Sequence, residues 1–153
     1  MREVLKAVAC VIQEGSLLCF RHPLAGNQVP KGTVEPGELP EQAVVRELFE
    51  ETGVVFSGDV QALAVLKQER HGAPGDVQIQ RWHLFLLPVS GLPPAWTHDA
   101  SGSEAEDGLC FECFWQPLEL PAVGFHESFE PVIERVREAV LSRPGPTGES
   151  DES

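Results

Sequence analysis

One helical segment, Leu39 to Gly53, constrains this chain more than any other, because its charges oppose the stability of the helix they occupy. The segment ends at Thr52-Gly53, where glycine is a typical C-cap. A rotation of about 100° per residue separates two faces. The apolar face comprises Val44, Val45, Leu48, Phe49 and Thr52, and the acidic face comprises Glu47, Glu50 and Glu51. We expect the apolar face to pack on the core.

The acidic face breaks two rules of helix stability. Glu47 is three residues from Glu50 and four from Glu51, and like charges at these spacings destabilise a helix by some tenths of a kcal/mol. Glu50 and Glu51 also lie in the last turn, where the helix dipole disfavours negative charge. Local rules are most often broken at functional sites. Three hard oxygen ligands on one face predict a site for a divalent cation such as Mg²⁺ or Mn²⁺. The alternative is a solvated acidic face with an ordinary Arg46–Glu50 pair.

The residues around this helix form a longer motif. Gly32 is followed by five residues, Glu38, seven residues, and then Arg-Glu-Leu-Phe-Glu-Glu-Thr-Gly-Val from Arg46 to Val54. This pattern resembles the Nudix box at every specified position, in the loop-helix-loop context that the box requires. The chain is therefore similar to the Nudix hydrolases, which include MutT-like enzymes.

The resemblance implies a fold, a reaction and a set of site residues. The fold is α/β, an α/β/α sandwich with a mixed β-sheet, and the reaction is metal-dependent hydrolysis of a phosphoanhydride (pyrophosphate) bond in a nucleoside di- or triphosphate, or in a nucleoside diphosphate linked to another group. The expected metal ligands are the carboxylates of Glu47, Glu50 and Glu51 and the backbone carbonyl of Lys31. Arg46 is expected to position a catalytic glutamate, which makes these glutamates and Arg46 the expected catalytic residues.

The resemblance also assigns supporting roles. Glu38 is expected to hold the loop to the helix, while Gly32 and Gly37 allow a tight loop and Gly53 ends the helix. Some Nudix enzymes take their general base from a glutamate outside the box. Candidates here are Glu104, Glu106 and Glu112, each of which has the alternative of being an ordinary surface acid.

The rest of the chain predicts alternating strands and one further helix. Apolar, β-prone runs predict strands at Leu5–Gln13, Ser16–His22, Val60–Lys67, Val77–Val89 and Leu109–Trp115, and helical spacing predicts a helix at Glu127–Leu141. Glu14-Gly15 predicts a hairpin with a short turn between the first two strands, and the Pro- and Gly-rich segment Arg21–Gly37 predicts a loop. The long polar stretch Ser90–Gly108 is a candidate substrate loop. We expect one domain at residues 1–141 and a disordered tail at 142–153.

Charge and cysteine content limit the partners and the compartment. A net charge of −13, from 24 acidic and 11 basic residues, opposes binding to a long nucleic acid or an anionic membrane. A small phosphorylated ligand remains compatible with it, because a bound cation inverts the local potential. No signal or transmembrane segment is evident, so we expect a cytoplasmic monomer or homodimer with reduced thiols. Cys110-x-x-Cys113 has no second pair and its segment is predicted to be a buried strand, so it is not expected to bind zinc.

The substrate is left open by the sequence. Arg21, Lys31 and Arg70 are expected to contact phosphates, and Trp96 is the preferred aromatic for stacking on a base, ahead of Trp82 and Trp115. In the Nudix family, a tyrosine downstream of the box is associated with dinucleoside-polyphosphate enzymes and a proline with ADP-ribose enzymes. This chain has no tyrosine, and no proline lies near Gln68–His71, so both subgroups are less favoured without being excluded. A nucleoside di- or triphosphate, a nucleotide sugar or alcohol, and a dinucleoside polyphosphate all remain open.

Two alternatives to this enzyme remain. One is a non-catalytic Nudix-fold module that binds a nucleotide or a protein, because a fold does not determine a function. The intact glutamate cluster argues against it, because a binding module has no need of an unfavourable cluster of charges. The other is an isomerase of diphosphate-bearing substrates, for which the additional acid and nucleophile cannot be placed.

Overall fold

The chain folds into one mixed β-sheet with a helix on each face. The computed structural model describes residues 2–103 and 105–141; the predicted tail at 142–153 lies outside them. The strands are β1 (Arg2–Gln13), β2 (Ser16–His22), β3 (Gly26–Gln28), β4 (Lys31–Thr33), β5 (Gln61–His71), β6 (Val77–Pro88), β7 (Trp96–Asp99) and β8 (Cys110–Pro117), and the helices are α1 (Pro40–Thr52) and α2 (Glu130–Leu141).

The first two strands form the predicted hairpin. Ile12 pairs with Leu17 and Gln13 with Ser16. Glu14 and Gly15 have φ angles of 50° and 78°, so both turn residues are left-handed. A two-residue turn of this kind matches the right-handed twist of the strands that it joins.

The sheet is mixed because β1 and β6 run parallel from Arg2/Gln78 to Ile12/Pro88. The strand order is β5-β6-β1-β2-β8-β7, and the other pairs are antiparallel. Beyond its contact with β6, β1 has two partners on its other edge. It pairs with β4 from Lys6 to Val8 and with β2 only at Ile12 and Gln13. This division brings β4 beside the start of β1.

Alternation along the central strands supplies two hydrophobic layers. Ala7, Ala9 and Val11 of β1 pack with Val44 and Leu48 of α1. Residues of the opposite parity, including Val8 and Cys10, pack with Val132, Ile133 and Val136 of α2 on the other face. Side chains of a strand alternate between its faces, so one run of apolar residues serves both layers. The predicted α/β/α sandwich with a mixed sheet is confirmed.

Helix α1 has the predicted ends. Its N-cap residue, Leu39, donates its backbone N–H to the Gln42 side chain at 2.9 Å, and Pro40 occupies the first turn. Gly53 ends the helix at φ 80° and donates its N–H to the Phe49 carbonyl at 2.8 Å. The expected burial of Phe49 is wrong, since half of the residue is exposed. Phe49 lies at the border of the apolar face and its ring is beside His98 instead.

Short strands are the main difference from the sequence expectation. β3 and β4 lie in a segment predicted as a loop, and β7 lies within the polar stretch Ser90–Gly108, where it pairs with β8. Strands of three or four residues are too short to show alternation, so their pairing depends on neighbours in space. A single 3-10 turn at Glu127–Phe129 also precedes α2 where a continuous helix was expected.

The four cysteines are free thiols. Cys10, Cys19 and Cys113 are buried, and burial raises the pKa of Cys10 to about 12. Cys110 is exposed, so the expectation of a buried segment is correct for Cys113 and wrong for Cys110. Within the described part of the chain, no helix is long and apolar enough to cross a membrane.

Replacement of Leu48 tests the packing of α1 on the sheet. Because Leu48 is fully buried in the α1 layer, Leu48→Ala is expected to lower the free energy of unfolding by about 2–5 kcal/mol, measured by urea denaturation. Val55→Ala, at a residue that is 77% exposed, is the matched control and should change it by less than about 1 kcal/mol. Equal effects at the two positions would contradict this account of the core.

Candidate active site

A cavity of about 400 Å³ lies between α1, β4 and the loop that follows β7. We call it the carboxylate cavity, and its charged lining comprises Lys6, Lys31, Glu35, Arg46, Glu47, Glu51 and Glu106. Glu47 and Glu51 come from α1, Glu35 from the loop before α1 and Glu106 from the loop after β7, whereas the lysines come from β1 and β4. The cavity therefore collects charge from five separate segments.

Glu51 is the most buried acid of the site. Only 3% of the residue is exposed, although it occupies the last turn of a helix. The backbone N–H of Lys31 donates a hydrogen bond of 2.8 Å to its Oε1 atom. Burial raises the pKa of Glu51 well above its usual range, and the negative charges of Glu106 and Glu47 add to this effect. The acidic face of α1 is therefore not a solvated face.

Glu47 is held against the backbone of β4. Burial raises its pKa to about 7, although Arg46 opposes the shift by hydrogen bonding to the carboxylate. A Cβ atom at position 32 would overlap the Glu47 carboxyl group, so no residue except glycine fits there in this geometry. The expected role of Gly32 in a tight loop thus takes the form of a close approach between loop and helix.

Arg46 ties the loop before α1 to the acids of the helix. Its Nε and Nη2 atoms donate to the two oxygens of Glu38 at 2.8 and 2.9 Å, and Nη2 also donates to the Thr33 carbonyl at 3.0 Å. Its Nη1 atom donates to Glu47 at 2.8 Å and to Glu50 at 3.1 Å. The hydrogen bond to Arg46 lowers the pKa of Glu38, whose Oε1 also accepts the Glu35 N–H at 3.0 Å. Glu38 and Arg46 therefore connect loop and helix.

Glu50 is turned towards the loop after β7. A Cβ atom at Gly102 would overlap the Glu50 carboxyl group, and Gly102 also has a left-handed φ of 83°. The Ser101 N–H donates to the Glu50 carbonyl at 3.1 Å. Across residues 2–103 and 105–141, no three His, Cys, Asp or Glu side chains are grouped closely enough to hold a metal ion as they stand. The predicted set of three ligands is thus divided, with Glu47 and Glu51 at the cavity and Glu50 beside it.

Lys31 contributes to the site with both its backbone and its side chain. While its N–H holds Glu51, its ammonium lies 4.5 Å from the centroid of the Trp82 ring and 5.7 Å from that of Phe129. Burial and the positive charge of Lys6 together lower the pKa of Lys31 to about 8, although the negative charge of Glu51 opposes the shift. The ammonium therefore lies in a partly apolar environment near a second cation.

The other predicted substrate contacts lie in different places. Arg21 and Trp96 line a second cavity of about 380 Å³ rather than the carboxylate cavity, and Trp96 donates its indole N–H to the Thr52 carbonyl at 2.8 Å. Arg70 lines a third cavity of about 300 Å³, which also includes Lys31. Of the four residues predicted to contact substrate, only Lys31 lines the carboxylate cavity, and Arg70 is adjacent to it.

The candidate acids outside the motif have three different positions. Glu106 lines the carboxylate cavity and adds to the negative potential at Glu51 and Glu47. Glu112 is exposed and forms an ion pair with Arg21 at 3.7 Å. Glu104 lies outside the described residues.

Sequence reasoning did not include Lys6 or Gly102 among the site residues. Lys6 reaches the cavity because β1 pairs with β4, and its ammonium donates to the Thr33 hydroxyl at 2.7 Å. Gly102 reaches α1 because the loop after β7 folds back over the helix. Neither residue carries a local pattern that separates it from an ordinary strand lysine or turn glycine.

Comparisons with known proteins show the family and the fold. A family model described as the NUDIX domain matches residues 4–135. A protein named RNA pyrophosphohydrolase from Proteus mirabilis is 32% identical over an alignment that covers 90% of this chain and 88% of that relative. A MutT NUDIX hydrolase from Burkholderia pseudomallei has a TM-score of 0.65 at 20% identity, over 89% of this chain and 99% of the other. An Ap4A hydrolase from C. elegans has a TM-score of 0.58 at 17% identity, over 94% and 100% of the two chains.

The buried acids predict an unusual dependence of stability on pH. Both Glu47 and Glu51 bind a proton more readily in the folded chain than in the unfolded chain. The contribution of Glu47 to stability is therefore complete below about pH 4.5 and is lost as pH rises to about 7, and that of Glu51 is lost in the same direction. In chelator, the free energy of unfolding should fall from pH 5.5 to 7, by at most about 1.4 kcal/mol per pH unit for each proton released.

Two variants distinguish the effect of these buried acids on stability from the effect of the overall negative charge of the chain. In urea denaturation, Glu47→Gln should flatten the fall with pH. Glu41→Gln, which removes an exposed acid from the first turn of the same helix, should leave the fall unchanged. A wild-type profile that is flat or rises between pH 5.5 and 7 would contradict the burial of these carboxylates as the cause.

Proposed function

The chain belongs to the Nudix family of hydrolases, and we propose that the carboxylate cavity is its reaction centre, with Mg²⁺ or Mn²⁺ as the cation. The protein is an enzyme that cleaves a phosphoanhydride bond. The proposal concerns which residues perform this reaction. The observation that carries it is the convergence of the buried Glu51 with Glu47 and Glu106 on one cavity.

The donor set fits a hard divalent cation. The acids that face the cavity offer only carboxylate oxygens, which are the ligands that Mg²⁺ and Mn²⁺ prefer. Burial disfavours the charged forms of Glu47 and Glu51, so a cation would supply the compensation that the protein alone does not provide. Glu47 and Glu51, with the backbone carbonyl of Lys31, would hold the ion. Glu50, which lies beside the cavity, would be the further carboxylate available to the ion.

A divalent cation bound by these residues would neutralise phosphate charge and lower the pKa of a water molecule. The side chains of the chain then have separate tasks. Arg46 is anchored by Glu38 and donates a hydrogen bond to the Glu47 carboxylate, so the orientation of Glu47 does not depend on substrate. Lys6 and Lys31 attract the phosphates of the substrate to the opposite side of the cavity.

We assign proton removal from the attacking water to Glu106. Glu106 comes from the loop after β7, so it faces Glu47 and Glu51 from another segment. Glu35, the other acid that lines the cavity from outside α1, is 3.9 Å from the Arg46 guanidinium instead. The water oxygen forms a bond to one phosphorus as the bridging anhydride bond to that phosphorus breaks. The proton passes to Glu106, and the leaving phosphate departs with the bridging oxygen.

The substrate class follows from charge and from the relatives. The Proteus mirabilis relative is named RNA pyrophosphohydrolase and the C. elegans neighbour is named Ap4A hydrolase, and both names indicate nucleotide-type phosphoanhydrides. The net charge of −13 opposes a long polyanion more strongly than a small one. We therefore propose a small nucleotide-like substrate, with the phosphorylated 5′ end of RNA as the second candidate.

A substrate panel with a matched pair of variants tests the reaction centre. The panel comprises a nucleoside triphosphate, a nucleotide sugar, a dinucleoside polyphosphate and an RNA with a 5′-triphosphate, each with Mg²⁺ or Mn²⁺. Glu51→Gln is expected to lower kcat/KM about 100-fold or more while the thermal midpoint in chelator stays the same or rises, because a buried charge is removed. Glu41→Gln should retain wild-type activity. Turnover that survives both Glu51→Gln and chelation would refute this centre.

The assignment of the base is tested by two glutamates that differ in position. Glu106→Gln should lower kcat roughly 100-fold or more with a smaller change in KM, since general base catalysis contributes about 10²–10⁴ in rate. Glu112→Gln removes an exposed acid that pairs with Arg21 and should change kcat less than about threefold. Comparable losses at both positions, or a loss at Glu112 alone, would overturn the assignment.

A further inference from the structure

Three basic side chains near the carboxylate cavity have no acidic partner. Among the described residues, Lys6, Lys31, Lys67 and Arg70 lie outside every ion pair, whereas the other described lysines and arginines each have a carboxylate within 4.0 Å. Lys6, Lys31 and Arg70 are close enough for their charges to repel one another, and acids of the carboxylate cavity act on Lys6 and Lys31 only from beyond ion-pair distance. In a chain with 24 acidic residues, a group of basic side chains that lies outside every ion pair indicates a place for an anion.

The aromatic side chains beneath these cations hold them in position. The Lys31 ammonium is 4.5 Å and the Arg70 guanidinium carbon 5.8 Å from the centroid of one ring, that of Trp82. Trp82 is fully buried, and its indole N–H donates to Gln80 at 2.8 Å. Both cations therefore rest on a fixed surface, which reduces the entropy lost when a ligand binds.

Two adjacent cavities share these cations. The carboxylate cavity and the cavity of about 300 Å³ that Arg70 lines have Gln28 and Lys31 in common. Lys6 lies in the first cavity, Arg70 in the second, and Lys31 in both. Positive charge thus continues from the acids of the first cavity into the second, in the order Lys6, Lys31, Arg70. We call this row of side chains the cationic strip.

We propose that the cationic strip binds a phosphate one position beyond the anhydride bond that is cut, so that the enzyme prefers substrates with three or more consecutive phosphates to diphosphates that end in a neutral sugar. This inference rests on the proposed function, because it takes the carboxylate cavity as the place where the bond breaks. A neutral sugar beside Lys31 and Arg70 would leave partly buried charges uncompensated. A further phosphate would pair with them, and the planar guanidinium of Arg70 matches its oxygens.

Binding of phosphate analogues tests the strip without turnover. Inorganic bis-methylene triphosphate and methylene diphosphonate contain no anhydride bond, and their affinities are measured by calorimetry with Mg²⁺. The triphosphate analogue is expected to bind wild type about tenfold more tightly than the diphosphonate. Arg70→Gln should remove that advantage. Lys67→Gln is the matched control, because it removes an exposed, unpaired charge from the same strand and should preserve the advantage.

Turnover gives a second, independent result. ATP and ADP-glucose share a nucleoside, and wild type should have the higher kcat/KM for ATP. The ratio of the two values should fall about tenfold in Arg70→Gln and stay unchanged in Lys67→Gln. An equal affinity of wild type for the two analogues, or an advantage that Arg70→Gln retains, would overturn the proposal. If neither nucleotide is hydrolysed, the proposed function fails. The calorimetric comparison then still tests whether the cationic strip binds an additional phosphate.

Discussion

The hydrogen bond from the Lys31 backbone N–H to Glu51, at 2.8 Å, joins the two segments on which the site depends. It attaches the end of α1 to β4, and the neighbouring Gly32 lets the Glu47 carboxylate approach the same strand without a Cβ in the way. β4 is in turn fixed by its pairing with the start of β1. The acids of the helix are therefore positioned by the central sheet, through a strand of three residues.

This attachment buries negative charge and makes the site unfavourable without a compensating ion. Arg46 compensates part of the charge, since its guanidinium reaches Glu38, Glu47 and Glu50 together. Glu51 has no such cation within ion-pair distance among the described residues, and its pKa is raised accordingly. An arrangement that costs stability in the absence of a cation favours binding one, because ion binding recovers the cost of the buried carboxylates. Stability and proposed catalysis are thus linked through the same side chains.

The same fold separates the acids from the unpaired bases. Glu47 and Glu51 come from the helix on one face of the sheet, whereas the side chains of Lys31 and Arg70 extend over Trp82, which belongs to the layer that packs with α2. The strand β4 lies between these two groups and contributes to both, since the Lys31 backbone holds an acid while its side chain joins the bases. A polyphosphate laid across β4 would meet positive charge at both ends, from the bound cation at one end and from the cationic strip at the other.

Sequence by itself determined the parts of this protein that have a local physical signature. The apolar runs of β1 and β2, the short turn at Glu14-Gly15 and the C-cap at Gly53 depend on neighbours along the chain, and all three were predicted. The motif from Gly32 to Val54 likewise identified the family and the reaction, because its spacing is fixed by one loop and one helix. Tertiary structure decided the rest. Only pairing in space brings Lys6, Glu106 and Gly102 to the acids of α1, turns Glu50 away from the cavity, and moves Arg21 and Trp96 to another one. These placements depend on strands and loops distant in sequence, and no periodicity or cap of the single chain records such contacts.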